Sequence, residues 1–206
     1  MNAFLVSVLL IALFILALSY LELKHKVIHV IKTHELVTIA LFSSLLYVAG
    51  LPFKLGLGRI PFIQAFVYSV PFTAVLFIGI RVVPKPGTAM LVIVGHSLLS
   101  QIISRGINPL WWPYAVLAGV TLETYFLFTR GYLNTRTNAV FAGLLRGLVM
   151  YLYFYLVSAP YIWHIHYASW YVFVQTLQGV LGSGLGALIG FALSRPILSA
   201  YRHGGL

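Results

Sequence analysis

The chain has 206 residues, of which 61% are hydrophobic and 8% are charged. A soluble domain carries about a quarter charged residues, so a water-facing fold would lack the polar side chains to cover itself. There is no cysteine and no aspartate, which excludes disulfides, thiolate chemistry and iron–sulfur ligation. Any metal site would rest on histidine or on Glu22, Glu35 or Glu123, the three acids. The net charge of +10 does not mark a nucleic-acid surface. The lysines and arginines sit in short gaps between apolar stretches, where anionic lipid and membrane topology explain them.

A helix needs about 20 residues to cross a hydrocarbon core of roughly 30 Å. Seven stretches qualify: 3–23, 36–52, 61–80, 88–104, 111–129, 138–159 and 170–194. The first lacks a basic leader and a small-residue cleavage site, so it reads as an uncleaved helix and not as a signal peptide. The expected fold is all-α, a polytopic membrane helix bundle with one N-terminal span and a six-helix unit. Residues 1–35 form the first span and its charged, histidine-bearing linker. Residues 36–206 form a six-helix transmembrane domain. Nine basic residues fall in the gaps after spans one, three and five and in the tail: Lys24, Lys26, Lys32, Arg81, Lys85, Arg130, Arg136, Arg195 and Arg202. Three fall in the opposite gaps: Lys54, Arg59 and Arg105. The bias predicts a multi-pass cell-membrane protein with its N-terminus outside and its C-terminus cytoplasmic.

Span two carries Ala40-xxx-Ser44, and the last span carries Gly182-xxx-Gly186-xxx-Gly190. Small residues at this spacing let helices approach closely. Packing within the chain is expected for the glycines, and docking to a partner helix for Ala40 and Ser44. Glu123 and Arg146 are the charges well inside spans. A buried charge is costly and is paired or functional. At about 1.5 Å of rise per residue their depths agree to within a few ångströms, so a structural ion pair between spans five and six is expected. A proton or cation relay is the alternative.

The outer rim is rich in polar and aromatic side chains. It holds Gln101, Arg105, Asn108, Trp111 and Trp112, then Trp163, His164, His166, Trp170, Tyr171 and Gln175. An interfacial aromatic belt is one reading. The other is a shallow cavity in which aromatic faces stack on a flat heterocycle and amides read its edge. Every tryptophan falls on the expected outer side, whereas a plain belt populates both interfaces. Candidate substrate-binding residues are Gln101, Arg105, Asn108, Trp112, Trp163, His164, Tyr171 and Gln175, with Arg105 pairing an anion. His164 and His166, with His96 as a third donor, are the place where copper or zinc would sit. Amphipathic interfacial histidines explain them better, since His96 lies about 15 Å from the rim by helical rise, and no metal or cofactor is expected.

The stretch Arg81-Val-Val-Pro-Lys-Pro-Gly-Thr-Ala89, followed by a span, a short loop and Gly119-Val-Thr-Leu-Glu123, resembles the substrate-binding S component of energy-coupling factor (ECF) vitamin transporters. The branch it resembles most is the thiamine-precursor (hydroxymethylpyrimidine) type. The likeness covers roughly residues 36–195. It implies a membrane-embedded S component that binds a small aromatic micronutrient near the outer face. It also implies docking through the Ala40–Ser44 helix to a transmembrane coupling subunit driven by ATPases. The chain itself would be no enzyme, having no phosphate-binding loop of the Gly-Lys-Ser/Thr kind. Two positions depart from the family pattern. Ile93 stands where a carboxylate is frequent and Ala118 where a glutamine is usual, which removes polar groups that could read a pyrimidine. The seven-span layout and the Pro-Gly-Thr-Ala turn also faintly resemble the A-type subunit of copper membrane monooxygenases. That likeness would imply a non-catalytic or copper-binding subunit of a membrane redox complex.

Overall fold

A chain surrounded by lipid must satisfy its own backbone groups, and helices do this within a single segment. The structure, a computed structural model, describes residues 5, 9, 12, 13, 16, 17, 20, 24, 31–55, 63–104, 106, 111–129 and 131–203. Among them run six helices: α1 (Thr33–Leu55), α2 (Gln64–Val82), α3 (Thr88–Ser104), α4 (Trp112–Thr129), α5 (Arg136–Tyr153) and α6 (Ser169–His203). No strand occurs among the described residues. These helices overlap the last six expected spans, with two departures: α6 runs on to His203, and the span expected over 138–159 is α-helical only to Tyr153 and π-helical beyond it. The first expected span, 3–23, lies largely outside the described residues; its described positions are helical.

Thr33–Pro52, Gln64–Val82, Arg136–Ile162 and Ser169–Ser199 are each long and apolar enough to cross a membrane, and Thr88–Ile103 is apolar but shorter. Along α6 the residues Phe173, Leu177, Leu181, Leu185 and Leu188 are all exposed. Their spacing of three or four residues makes one continuous apolar face, as a lipid-facing surface requires.

Lipid tails are as apolar as leucine, so helices in a membrane associate through close packing and not through hydrophobic burial. The glycines of α6 provide that packing. A Cβ added at Gly182 would lie 2.7 Å from the Phe66 carbonyl oxygen of α2. One added at Gly147 of α5 would lie 2.9 Å from the Gly179 carbonyl oxygen of α6. Backbone therefore meets backbone, and α2, α5 and α6 form one tightly joined half. The expected packing role of the Gly182–Gly190 stripe is what the structure shows. Tyr151 ties the same three helices' neighbourhood together. Its hydroxyl donates to the Ala65 carbonyl (3.1 Å) and lies 2.9 Å from Ser69 Oγ.

The other half is α1, α3 and α4. Ser43 of α1 donates across to the Val92 carbonyl of α3 at 3.1 Å, and Gly119 brings α4 against the backbone of Met90. Leu46, Leu76, Phe77, Ile80, Leu122 and Phe126 fill the space between the two halves. Ala40 and Ser44 face outward on α1 and are exposed. Beyond α5 the chain continues as a π-helical turn, Phe154–Ile162, which contains Pro160. Proline has no N–H to give to a regular helix, and a wider turn accommodates its loss. The turn closes with Trp163 N–H donating to the Ser158 carbonyl at 3.0 Å.

Candidate functional site

The resemblance motif is where local sequence and geometry agree most closely. Pro84-Lys85-Pro86-Gly87 stops α2 and turns the chain into α3. Gly87 has φ +87°, a conformation that costs a side-chain-bearing residue but not glycine. The first N–H groups of α3 then need an acceptor, since a helix leaves its first four unpaired. Glu123 supplies one. Its Oε1 accepts from Ala89 N–H at 2.8 Å and from Met90 N–H at 3.4 Å, and Tyr132 donates to its Oε2 at 3.4 Å. The carboxylate is 1% exposed. It sits at the positive end of the α3 dipole, which favours an anion. Burial, and then the neighbouring Glu123 carboxylate, push the Tyr132 phenol above its ordinary range, so it stays a donor. The spacing from Pro86 to Glu123 thus corresponds to one helix cap. Close by, Lys85 pairs with Glu35 of α1 at 2.8 Å.

The expected Glu123–Arg146 ion pair is not formed. Arg146 donates from Nη1 to Thr73 Oγ1 of α2 at 3.0 Å, and its guanidinium lies 4.6 Å from the Phe72 ring centroid. The reason is depth. Glu123 precedes the end of α4 by six residues, about 9 Å, while Arg146 follows the start of α5 by ten, about 15 Å. Each charge finds its partner on a third helix.

Arg146 lines a cavity of about 240 Å³ between α2, α3, α4 and α5. Tyr68 and Phe72 come from α2, Ile93, His96, Ser97, Ser100 and Gln101 from α3, and Tyr114, Ala115 and Ala118 from α4; Trp111 precedes α4. The cavity therefore runs from Arg146 to Gln101 and Trp111, at the end of the bundle that carries the 105–110 loop. Its wall area is mainly apolar, with aromatic faces from Tyr68, Phe72, Trp111 and Tyr114, and its polar groups are Arg146 at one end and His96, Ser97, Ser100 and Gln101 along α3, a mix that suits a small-molecule site. The His96 ring meets Phe72 edge-on at 5.2 Å. A larger groove, about 320 Å³, lies where Ala17, Tyr20 and Lys24 meet α3 and α4. Its polar groups are already engaged: Glu123 with the α3 cap, and Lys24 with Tyr20 at 3.1 Å. Its rim residue Phe128 is 84% exposed, so the groove reads as a packing gap facing lipid.

Of the expected binding residues, Gln101 lines the cavity. Trp112 stands behind it, donating from Nε1 to Gln101 Oε1 at 3.2 Å. Trp163 touches the mouth through Trp111, ring centroids 5.1 Å apart. Tyr171 instead stacks on Tyr167 at 5.4 Å and meets Tyr155 edge-on, and Gln175 is buried on α6. His164 is exposed, as is His166. Arg105 and Asn108 lie outside the described residues. Among the described residues no three histidine or acidic side chains are grouped as a metal site. Sequence reasoning missed the aromatic walls Tyr68, Phe72 and Tyr114 and the part played by Arg146. The available signal was an arginine inside a span with few acids to pair it. Ile93 and Ala118, the two departures from the family pattern, both lie on the cavity wall.

No protein-family model matches the chain, and no curated protein does. Among solved structures, the crystal structure of an S-component of an ECF transporter superposes with a TM-score of 0.62. The match covers 85% of this chain and 87% of that one at 19% identity. At that identity the likeness is one of fold: the chain adopts an S-component-like membrane helix bundle.

Proposed function

We propose that this chain is the membrane-embedded, non-catalytic substrate-binding component of an ECF-type importer for a small aromatic micronutrient. The observation that carries the reading is the cavity beside Arg146. It is an aromatic-walled space inside a bundle of S-component fold, with Gln101 and Trp111 at one end. Its volume is below the roughly 300–1,000 Å³ that drug-sized ligands occupy, so the substrate is small. Gln101 and Arg146 would read the substrate's polar edge, and Tyr114 and Trp111 its flat faces. Trp112 and Trp163 would hold the mouth, with Arg105, Asn108 and His164 on its approach. Tyr171 and Gln175 would support the adjoining aromatic cluster. Glu123 secures the α3 turn and takes no part in binding.

A thiamine precursor is the substrate that the sequence resemblance names. The apolar side chains of Ile93 and Ala118 on the cavity wall favour a different member of the same class. The bias of basic residues supports a mouth that opens to the outside. The exposed small residues Ala40 and Ser44 would contact a transmembrane coupling subunit, with ATPases beyond it.

Native mass spectrometry of the gently solubilised protein with its co-purifying partners tests this. A bound small heterocycle, or a coupling subunit with ATPases, supports the reading. Copper or haem, or an oxidoreductase partner without ATPases, overturns it in favour of a redox-complex subunit.

A further inference from the structure

Arg146 is 6% exposed, yet among the described residues it has no anionic partner. Its Nη1 is bonded to a neutral threonine hydroxyl, its face rests on Phe72, and its buried Nε has no acceptor. No acidic residue is among those lining the cavity. Of the three acids in the sequence, Glu35 is held by Lys85 and Glu123 by the α3 N-terminus. Glu22 lies outside the described residues. A buried cation without a counter-charge is costly, and here an N–H donor beside an unfilled volume is left without an acceptor. A guanidinium presents fixed forked donors that match a carboxylate.

From this we infer that the substrate is an organic anion: a small planar body with a carboxylate, whose charged end meets Arg146. The planar part lies against Tyr114 and Phe72 and points toward Gln101 and Trp111. This inference rests on the cavity being the substrate site and narrows what that site accepts. Ile93 fits it, since a carboxylate at that place on the wall would neutralise Arg146 and remove the preference. A cationic ligand is disfavoured by Arg146 itself, and a neutral one leaves the Nε donor's charge uncompensated.

The test is binding to the full chain in phosphatidylcholine nanodiscs, read by calorimetry and by tryptophan fluorescence. The probes are a matched set of nicotinate, nicotinamide and 3-(aminomethyl)pyridine. Nicotinate is expected to bind tightest, by about tenfold or more. Arg146→Gln should weaken nicotinate about 100-fold and abolish its advantage over nicotinamide, and Arg146→Lys should recover part of the loss. Should Arg146→Gln fail to fold, Ile93→Asp provides the second variant; it should weaken the acid and tighten the amine. Equal or tighter binding of the amide or amine by the wild type overturns the anion inference and leaves the cavity standing as the site. Saturation by none of the three overturns the cavity reading as well.

Discussion

Glu123 and Arg146 are two charges buried in one bundle, and they are served very differently. Glu123 accepts from two backbone N–H groups and a phenol and sits at a helix N-terminus. Arg146 has one neutral hydroxyl, one aromatic face and a cavity. A fully served buried charge holds a fold together. A half-served one beside an open volume is poised for a ligand. The same two side chains look equivalent when only their positions in apolar spans are considered.

Replacing the served charge should have the largest effect on stability. Glu123→Ala strips the α3 cap and leaves buried donors unpaired, a loss of about 3 kcal/mol, visible as a lower Tm in nanodiscs. A stability change under about 0.5 kcal/mol would show that the cap is dispensable. Arg146→Met should act in the opposite direction. Removing an uncompensated buried cation should stabilise the ligand-free protein by about 1 kcal/mol, read as a higher Tm. A clear fall in Tm would make Arg146 a structural residue and collapse the contrast. Tyr132→Phe removes one of Glu123's three donors, with an expected cost of about 1 kcal/mol in the same unfolding assay and no change in ligand binding. Least of all, Glu35→Gln breaks the half-covered Lys85 pair. About 0.5 kcal/mol is expected, diminishing as salt is raised, whereas a salt-independent loss would place that pair in a drier setting than its geometry implies.

Much of the fold was legible along the chain. Apolar run length located six helices because backbone satisfaction in lipid leaves few other structures. The Gly182–Gly190 spacing announced close packing because small side chains act locally and predictably. Pro86-Gly87 announced a turn for the same reason. The aromatic rim was legible too: Gln101 and Trp111 line the cavity, and Trp163 packs on Trp111.

Partner choice was not legible. Two opposite charges at similar estimated depth suggest a pair, but hydrogen bonds reach only about 3 Å, and a few residues of offset along two helices exceed that. The cavity wall was likewise invisible, because Tyr68, Phe72 and Tyr114 look like ordinary core aromatics until α2, α3, α4 and α5 are set side by side.

The sequence by itself determined a helical membrane chain, the approximate course of its last six helices, its tight glycine contacts and a chemistry restricted to few charges. These follow from local composition and spacing. Only the tertiary structure decided that Glu123 caps α3, that Arg146 faces a cavity, and that Ile93 and Ala118 line it. Each of those depends on which faces of distant helices meet, and that is fixed by packing across the whole bundle.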